Sequence, residues 1–213
     1  MEILKPVIPQ ELALGSLTQA AEAALAQCED VSGARFEDDY LDEVSGGKLE
    51  FSGCVFSRCA FTPCHVKRFY FVDVVFQGCD LSNMNLRGCT FQRVCFEGCR
   101  MTGVDFSDSV MMNVRFADCL MPYANLSGDK LERVAFAGCD MKNSALMETR
   151  VKNVSLENCD LQRAEIVGTP LKGMDLTTCA LSGIMVGEGV LRGATVSMTQ
   201  AVELALLLGV VIK

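Results

Sequence analysis

Twelve cysteines in a chain of 213 residues are the first groups here that could do chemistry, as metal ligands or as disulfide partners. Their spacing is regular: Cys54, Cys59 and Cys64 are five apart, and Cys59, Cys79, Cys99, Cys119, Cys139, Cys159 and Cys179 are twenty apart. The other reactive types are sparse. His65 is the only histidine, no Gly-rich phosphate loop occurs, and no histidine stands beside a nucleophile. An enzyme is therefore not expected, and no cofactor and no metal. What has to be explained is the period of five.

That period belongs to the whole middle of the chain. Every fifth residue from Phe51 to Val196 is apolar (Phe51, Phe56, Phe61, Val66, Phe71, Phe76, Leu81 and onward without a gap). Neither a helix nor a strand has this repeat, so the building unit is a pentapeptide. Two places before each central residue i the side chain is mostly small: Cys54, Cys59, Val74, Cys79, Cys89, Val94, Cys99, Ser109. Each unit reads as a short extended side with i−2 and i facing inward and i−1 outward, the chain turning a corner through i+1 and i+2. Position i+2 carries Gly53, Gly78, Asn83, Gly88, Gly98, Gly103, Asn113, Gly128, Gly138 and Asn143, residues that tolerate turn dihedrals.

Side-chain identity recurs at twenty as well as five. Phe56, Phe76, Phe96, Phe116 and Phe136 form one series, and Val74, Val94, Val114, Val134 and Val154 another. Stacked positions should resemble one another, so four sides make one coil. Residues 51 to 196 then give about seven coils, roughly 35 Å of rod at the spacing of hydrogen-bonded strands.

Segments such as Cys79-Asp80-Leu81-Ser82-Asn83, Val104-Asp105-Phe106-Ser107-Asp108 and Ala124-Asn125-Leu126-Ser127-Gly128 resemble the A(D/N)LXX motif of the pentapeptide-repeat proteins. The resemblance implies an all-β solenoid, a right-handed quadrilateral β-helix. Its hand is implied by the resemblance alone.

Within such a rod ten of the twelve cysteines fall at i−2, where they read as small hydrophobes packed beneath the next coil, reduced and metal-free. Successive thiols of the Cys54, Cys59, Cys64 series lie on different sides and do not surround one ion. Met101, Met121 and Met141 stack at twenty and read as core, and His65 points outward. Asp129 departs from the pattern, an acid at an inward i−2 position that needs relief from a bulge or from Lys130 or Arg133.

Residues 1–50 read as a lead-in with Pro6 and Pro9, a capping helix through Leu17, Ala20, Ala21, Ala24, Leu25 and Cys28 with Ser16 and Gln19 as its capping box, and an irregular first coil whose phase breaks at Gly46-Gly47. Residues 51–196 are the repeat rod. Residues 197–213 read as a second helix, opened by Ser197 and Gln200 and stopped near Gly209. That helix is apolar on nearly every side, so it is expected to close the rod with one face and meet a second copy with the other, making a homodimer through Ala201, Val202, Leu204, Ala205, Leu207, Leu208, Val210 and Ile212, with Val210-Val211-Ile212 free to exchange as a strand. No apolar run reaches membrane-spanning length and no secretory signal is visible at Met1, so a soluble cytoplasmic protein with no membrane role is expected.

The net charge of −8 lies wholly in residues 1–50, whereas residues 51–196 are neutral overall. The rod is nevertheless sided. One side carries Arg93, Lys130, Arg133, Arg150, Lys152, Lys172 and Arg192, and another carries Asp105, Asp108, Glu148, Glu165 and Glu188. The tail, Gln200-Ala201 followed by Leu208-Gly209-Val210 and Ile212, is similar to the C-terminal dimerisation segment of the Qnr-type quinolone-resistance branch. That resemblance implies a dimeric rod that imitates duplex DNA, binds DNA gyrase or topoisomerase IV, and contacts no nucleic acid itself; a basic DNA-binding saddle would then be met by the acidic stripe. The alternative expectation is a general interaction scaffold for another protein, with no part in quinolone resistance.

Overall fold

The structure, a computed structural model, describes residues 2–62 and 64–207. Regular elements follow one another as β1 (Ala13–Leu14), α1 (Leu17–Gln27), β2 (Val31–Ser32), β3 (Ala34–Glu37), β4 (Tyr40–Leu41), β5 (Ser45–Ser52), β6 (Val55–Ser57), β7 (Ala60–Phe61) and β8 (His65–Gln77). The second half holds β9 (Thr90–Glu97), β10 (Val110–Ala117), β11 (Lys130–Ala137), β12 (Arg150–Glu157), β13 (Glu165–Ile166), β14 (Met185–Val186) and α2 (Met198–Leu206). Every strand pairing is parallel, and from β2 onward residue i pairs with residue i+20: Val31 with Phe51, Phe56 with Phe76, Val94 with Val114, Phe116 with Phe136. The chain is a β-solenoid of about nine turns with two helices. It is longer than the seven coils counted from Phe51, because β1 to β4 already follow the coil path on the N-terminal side.

The core is the inward phase of the repeat. Phe51, Phe56, Phe71, Phe76, Phe91, Phe96, Phe116 and Phe136 are fully buried, and so are Met101, Met121 and Met141. Phe76, Phe96, Phe116 and Phe136 stack face to face with centroids 4.7 to 4.8 Å apart, the interval that the strand ladder sets.

Corners take the left-handed conformation at i+2, as the glycines and asparagines suggest, but other residues share it: Arg93 (φ 52°), Asp108 (φ 60°), Tyr123 (φ 61°), Arg133 (φ 55°) and Glu148 (φ 52°). Each such side chain costs on the order of 1 kcal/mol relative to glycine. Some have a visible compensation. Arg93 clamps Asp73 of the preceding coil through Nε and Nη2 at 2.6 and 2.5 Å, and Asp73 also accepts from the Val7 backbone N–H at 2.9 Å, which ties the extended lead-in along the outside of the rod.

The motif's acidic or amide residue at i−1 has a local task. Its Oδ1 accepts the backbone N–H two residues on, closing the turn: Asp80 from Ser82 at 2.9 Å, Asp105 from Ser107 at 3.0 Å, Asn125 from Ser127 at 3.1 Å, Asp160 from Gln162 at 3.1 Å.

Two features of the N-terminal cap differ from the sequence expectation. Ser16 makes no side-chain cap; the Leu17 N–H is taken at 2.6 Å by Oδ2 of Asp39, an acid supplied from the neighbouring coil, so no capping box with Gln19 forms. At Gly46 the inward phase is kept and not broken. Gly46 lies inside β5, paired with Val66, and a Cβ there would stand 2.5 Å from Leu25 Cδ2. The missing side chain makes room for the helix, and Leu17, Ala21 and Ala24 of α1 are buried over the coil end as a cap should be.

Candidate functional site: the acidic corner and the C-terminal helix

Position i−2 is more than a small slot. In the column running from Cys59 to Cys179, each thiol reaches the carbonyl oxygen twenty-three residues earlier: Cys59 to Phe36 (3.4 Å), Cys79 to Phe56 (3.4 Å), Cys119 to Phe96 (3.5 Å), Cys159 to Phe136 (3.4 Å). The hydroxyls two corners away do the same. Ser109 donates to Leu86 at 2.9 Å, Thr149 to Leu126 at 2.7 Å and Thr169 to Leu146 at 2.6 Å. The slot therefore selects a small donor, which is why Cys, Ser and Thr share it. All twelve cysteines are free. Burial pushes the Cys89 thiol up to about 11, away from reactive thiolate character.

Asp129 sits in the hydroxyl column between Ser109 and Thr149. It is completely buried, with no bulge and no contact to Lys130 or Arg133; β11 runs through in unbroken register beside it. Oδ1 accepts the Ser109 N–H at 2.8 Å, and Oδ2 has no partner. Desolvation pushes its pKa up to about 9 against the single stabilising N–H, and the nearby charges of Asp105 and Asp108 push in the same direction. Asp129 is thus neutral at physiological pH, a protonated carboxyl in a column of donors.

On the surface in front of that column lie the acids singled out by sequence. Asp105 and Glu165 belong to one outward row, with Asn125 and Ala145 between them, and both are half-buried. One oxygen of Asp105 is shared by the Ser107 N–H and by Asn125 Nδ2 at 3.1 Å. Asp108, Glu148 and Glu188 are exposed and recur at every second coil along the corner, on the order of 10 Å apart. Glycines alternate with them. A Cβ on Gly128 would lie 2.6 Å from Asp108 Oδ1, and one on Gly168 would meet the Glu148 carboxylate, so each acid lies flat over the glycine of the following coil. Asp108 is also drawn back by Arg87 at 2.7 Å, an exposed pair of small energetic weight. The five acids form a strip along the rod and not a cluster.

The basic side is partly self-neutralised. Arg93 is held by Asp73, Arg133 by Glu132 and by Asn113 Oδ1 (2.9 Å), and Lys152 by Glu132 (3.1 Å), while Lys130, Arg150, Lys172 and Arg192 are exposed or at the surface without an ion pair among the described residues.

At the C-terminal end α2 carries the full capping box: the Gln200 N–H donates to Ser197 Oγ at 3.2 Å, and the Ser197 N–H donates to Gln200 Oε1 at 2.7 Å. Gln200 does more than cap. Its buried Nε2 donates to the carbonyls of Leu176 and Cys179, both at 2.7 Å, pinning the helix to the last coils. Leu204 packs partly on the core and Ala205 is half-buried, whereas Ala201, Val202 and Leu207 are exposed. Met198 (86% exposed) and Leu206 (58%) extend the open stripe around Val202 (47%); their i, i+4, i+8 spacing was visible in the sequence but was not assigned to it. Leu208, Val210 and Ile212, with the strand proposed for Val210-Val211-Ile212 and the stop at Gly209, lie outside the described residues.

Among the described residues no group of three or more His, Cys, Asp and Glu side chains could hold a metal ion, and no helix is long and apolar enough to cross a membrane. The most enzyme-like pair is Cys95 with Glu97, Sγ to Oε1 at 3.4 Å, in a surface hollow under the lead-in residues Ile3 to Pro6. Burial, then the Glu97 charge, pushes the Cys95 thiol up to about 12, the opposite of activation. His65 is exposed in β8, as expected.

Residues 49–127 match the family model of the pentapeptide repeat region. The same five-residue phase continues beyond the matched part to Val196, so the chain carries a pentapeptide-repeat region. No curated protein matches it by sequence. Among solved structures it is similar to a trypsin-treated variant of QnrB1, a plasmid-mediated fluoroquinolone resistance protein, at 19% identity over 95% of this chain and 99% of that one, with a TM-score of 0.38. Full-length QnrB1 aligns at 17% identity over 85% of this chain and 99% of its own, TM-score 0.34. HetL from the cyanobacterium Nostoc, a pentapeptide repeat protein involved in heterocyst differentiation regulation, aligns at 12% over 78% and 86%, TM-score 0.26.

Proposed function

We propose that the protein is a non-enzymatic interaction rod whose acidic corner imitates the phosphate backbone of duplex DNA for a bacterial type II topoisomerase, DNA gyrase or topoisomerase IV, and so lowers quinolone susceptibility. The observation that carries this reading is the corner itself: Asp108, Glu148 and Glu188 at every second coil, two of them held at positive φ where glycine would be less strained. Strain kept at exposed acids points to use of those acids. A basic DNA-binding saddle would be drawn to them electrostatically, and raised salt should weaken the association. The interior is committed to packing, so function falls to the surface. The exposed stripe of Met198, Ala201, Val202 and Leu206 supports pairing of two copies through α2, and twelve free thiols fit a reducing, cytoplasmic setting.

A second reading, a scaffold for another protein, is favoured by two observations: the acid excess lies in residues 1–50, and Asp108 is already paired with Arg87. The deciding experiment is gyrase supercoiling in the presence of a quinolone. Added protein should restore supercoiling; absence of any affinity for gyrase at low salt hands the function to the scaffold reading. For the dimer, Val202→Asp or Leu207→Asp is a cleaner probe than Leu204→Asp, because Val202 and Leu207 are exposed and Leu204 also packs the cap. Either should yield monomers by light scattering with little loss of stability. A monomeric parent protein would leave α2 as a cap only.

A further inference from the structure

The side of the rod centred on Leu126, Leu146, Ile166 and Val186 changes character along its length. In its earlier coils the outward positions are polar: Asn85, Asp105 and Asn125 before the central residue, Arg87, Ser107 and Ser127 after it. From residue 145 onward they turn apolar. Met147 (37% exposed), Val167 (37%) and Met185 (52%) stand open beside the half-buried Ala145. The ladder makes them neighbours, since Ala145 pairs with Glu165 and Glu165 with Met185, while the Glu148 N–H bonds to the Val167 carbonyl at 2.8 Å. Val167 also leans over the next coil, where a Cβ on Gly187 would lie 3.3 Å from its Cγ1.

The change has a structural cost. Asp105 and Asn125 close their turns by accepting the N–H two residues on, and neither Ala145 nor Met185 has a side-chain oxygen to do so. The Met147 N–H turns instead to Ser127 Oγ of the preceding coil, at 3.3 Å. Exposed apolar side chains thus stand where the earlier coils place groups that hold the turn, and grouped in this way on a polar face they mark a contact surface. Methionine adapts to varied partner shapes. Acids border the patch: Glu165 lies within it and the exposed Glu148 and Glu188 follow one rim, against the exposed Arg163 on the opposite corner, whose stem lies over Gly183.

We propose that this patch is a docking site for a basic amphipathic helix of a partner protein. Charge and dimensions choose the occupant. A second copy of the patch would bring the same acids face to face, and an anionic membrane would meet them too, so both are repelled. A strand has nothing to add to, because the backbone here is already bonded to the coils on both sides: Ala145 N–H to Ala124 O, Leu146 N–H to Glu165 O, Met185 N–H to Ala164 O. Two coil steps separate Glu148 from Glu188, about 10 Å, and a helix advances about the same distance over seven residues. Bases at i and i+7 of such a helix therefore face both acids at once, with its apolar face over Met147, Val167 and Met185. This contact goes beyond the gyrase reading and does not depend on it: it needs the apolar patch as well as the acids.

The test uses the full chain, isotope-labelled at its methionine methyls, and a fluorescein-labelled helical peptide of leucine and lysine with its leucines on one face. The controls are a peptide of the same composition with the leucines scattered and one with glutamate in place of lysine. Anisotropy should show saturable binding of the basic amphipathic peptide at least about tenfold tighter than either control. The Met147 and Met185 methyl signals should shift on binding while those of the buried Met101, Met121 and Met141 stay in place. Met147→Gln with Met185→Gln should weaken binding about tenfold with the circular dichroism spectrum retained. Glu148→Gln with Glu188→Gln should weaken it at low salt, whereas Glu22→Gln with Glu43→Gln, exposed acids at the N-terminal end, should leave it unchanged. Equal binding of the scattered peptide, equal weakening by the Glu22 and Glu43 changes, or unmoved Met147 and Met185 signals in the complex would each overturn the proposal.

Discussion

Two corners of the rod share one backbone and differ in what they hold. Behind the first lies the thiol column from Cys59 to Cys179, and in front of it stand Arg58, Gly78, Gly98, Asp118 and Gly138; behind the second lie Cys89, Ser109, Asp129, Thr149 and Thr169, and in front stand Asp108, Gly128, Glu148 and Gly168. Both columns donate to the carbonyl twenty-three residues back, so both satisfy the same backbone groups. The second does it with oxygen at Ser109, Thr149 and Thr169 and admits one carboxyl, and it is the one that carries the alternating acids outside. A solenoid can thus vary polarity corner by corner while the fold stays constant.

Asp129 is where the difference between the columns is largest. Its folded pKa is raised to about 9, above that of the unfolded chain, so the folded state holds the proton longer. Below about pH 4 both states are protonated and there is no penalty. As pH rises toward 9 the unfolded chain ionises first and stability falls, by an amount on the order of 7 kcal/mol. Urea midpoints measured between pH 4 and pH 9 should decline steeply for the parent protein and much less for Asp129→Thr, which matches Thr149 and Thr169 of its own column. If the two proteins showed parallel pH profiles, Asp129 would be ionised in place and the carboxyl would have a partner after all.

The donor role separates the columns more finely. Thr149→Val keeps the volume but strips the hydroxyl from the Leu126 carbonyl, and should cost about 1–3 kcal/mol. Cys119→Ala removes a weaker donor together with a small volume and should cost about 1–2 kcal/mol. A Thr149→Val variant as stable as the parent beside a destabilised Thr149→Ser, read from thermal unfolding, would mean that the slot selects size and not a donor.

The period of five, the coil of twenty and the inward phase were legible in the sequence because one side chain in five must be apolar whatever the corner does. Corner conformations were legible only where Gly or Asn announced them; Arg93, Tyr123 and Glu148 adopt the same left-handed backbone without a propensity for it, because stacking on neighbouring coils overrides local preference. The donor rule at i−2 could have been read from the shared chemistry of Cys, Ser and Thr. The cap from Asp39, the room Gly46 leaves for Leu25 and the second role of Gln200 were not readable, since each depends on what another coil places opposite. The acids of the strip could be assigned to one repeat side from the sequence, but their alternation with glycine needs the coil register to be seen.

The smallest expected effect on stability is the one that speaks most directly to function. Glu148 sits at φ 52° and is exposed, with no ion pair among the described residues. Replacing it with glycine relieves about 1–2 kcal/mol of left-handed strain and returns part of that through the greater freedom of glycine in the unfolded chain. Glu148→Gly should therefore leave stability unchanged or raise it by up to about 1 kcal/mol, while taking one carboxylate out of the corner row. If the acidic corner is the surface a basic partner grips, this variant should protect gyrase less well against a quinolone although it folds at least as well. Asp118→Gly, the same backbone change on the thiol corner, should match it in stability and leave protection intact. A pair of variants that lose protection equally would move the contact away from the acidic corner, and a pair that both keep it would remove Glu148 from the interface.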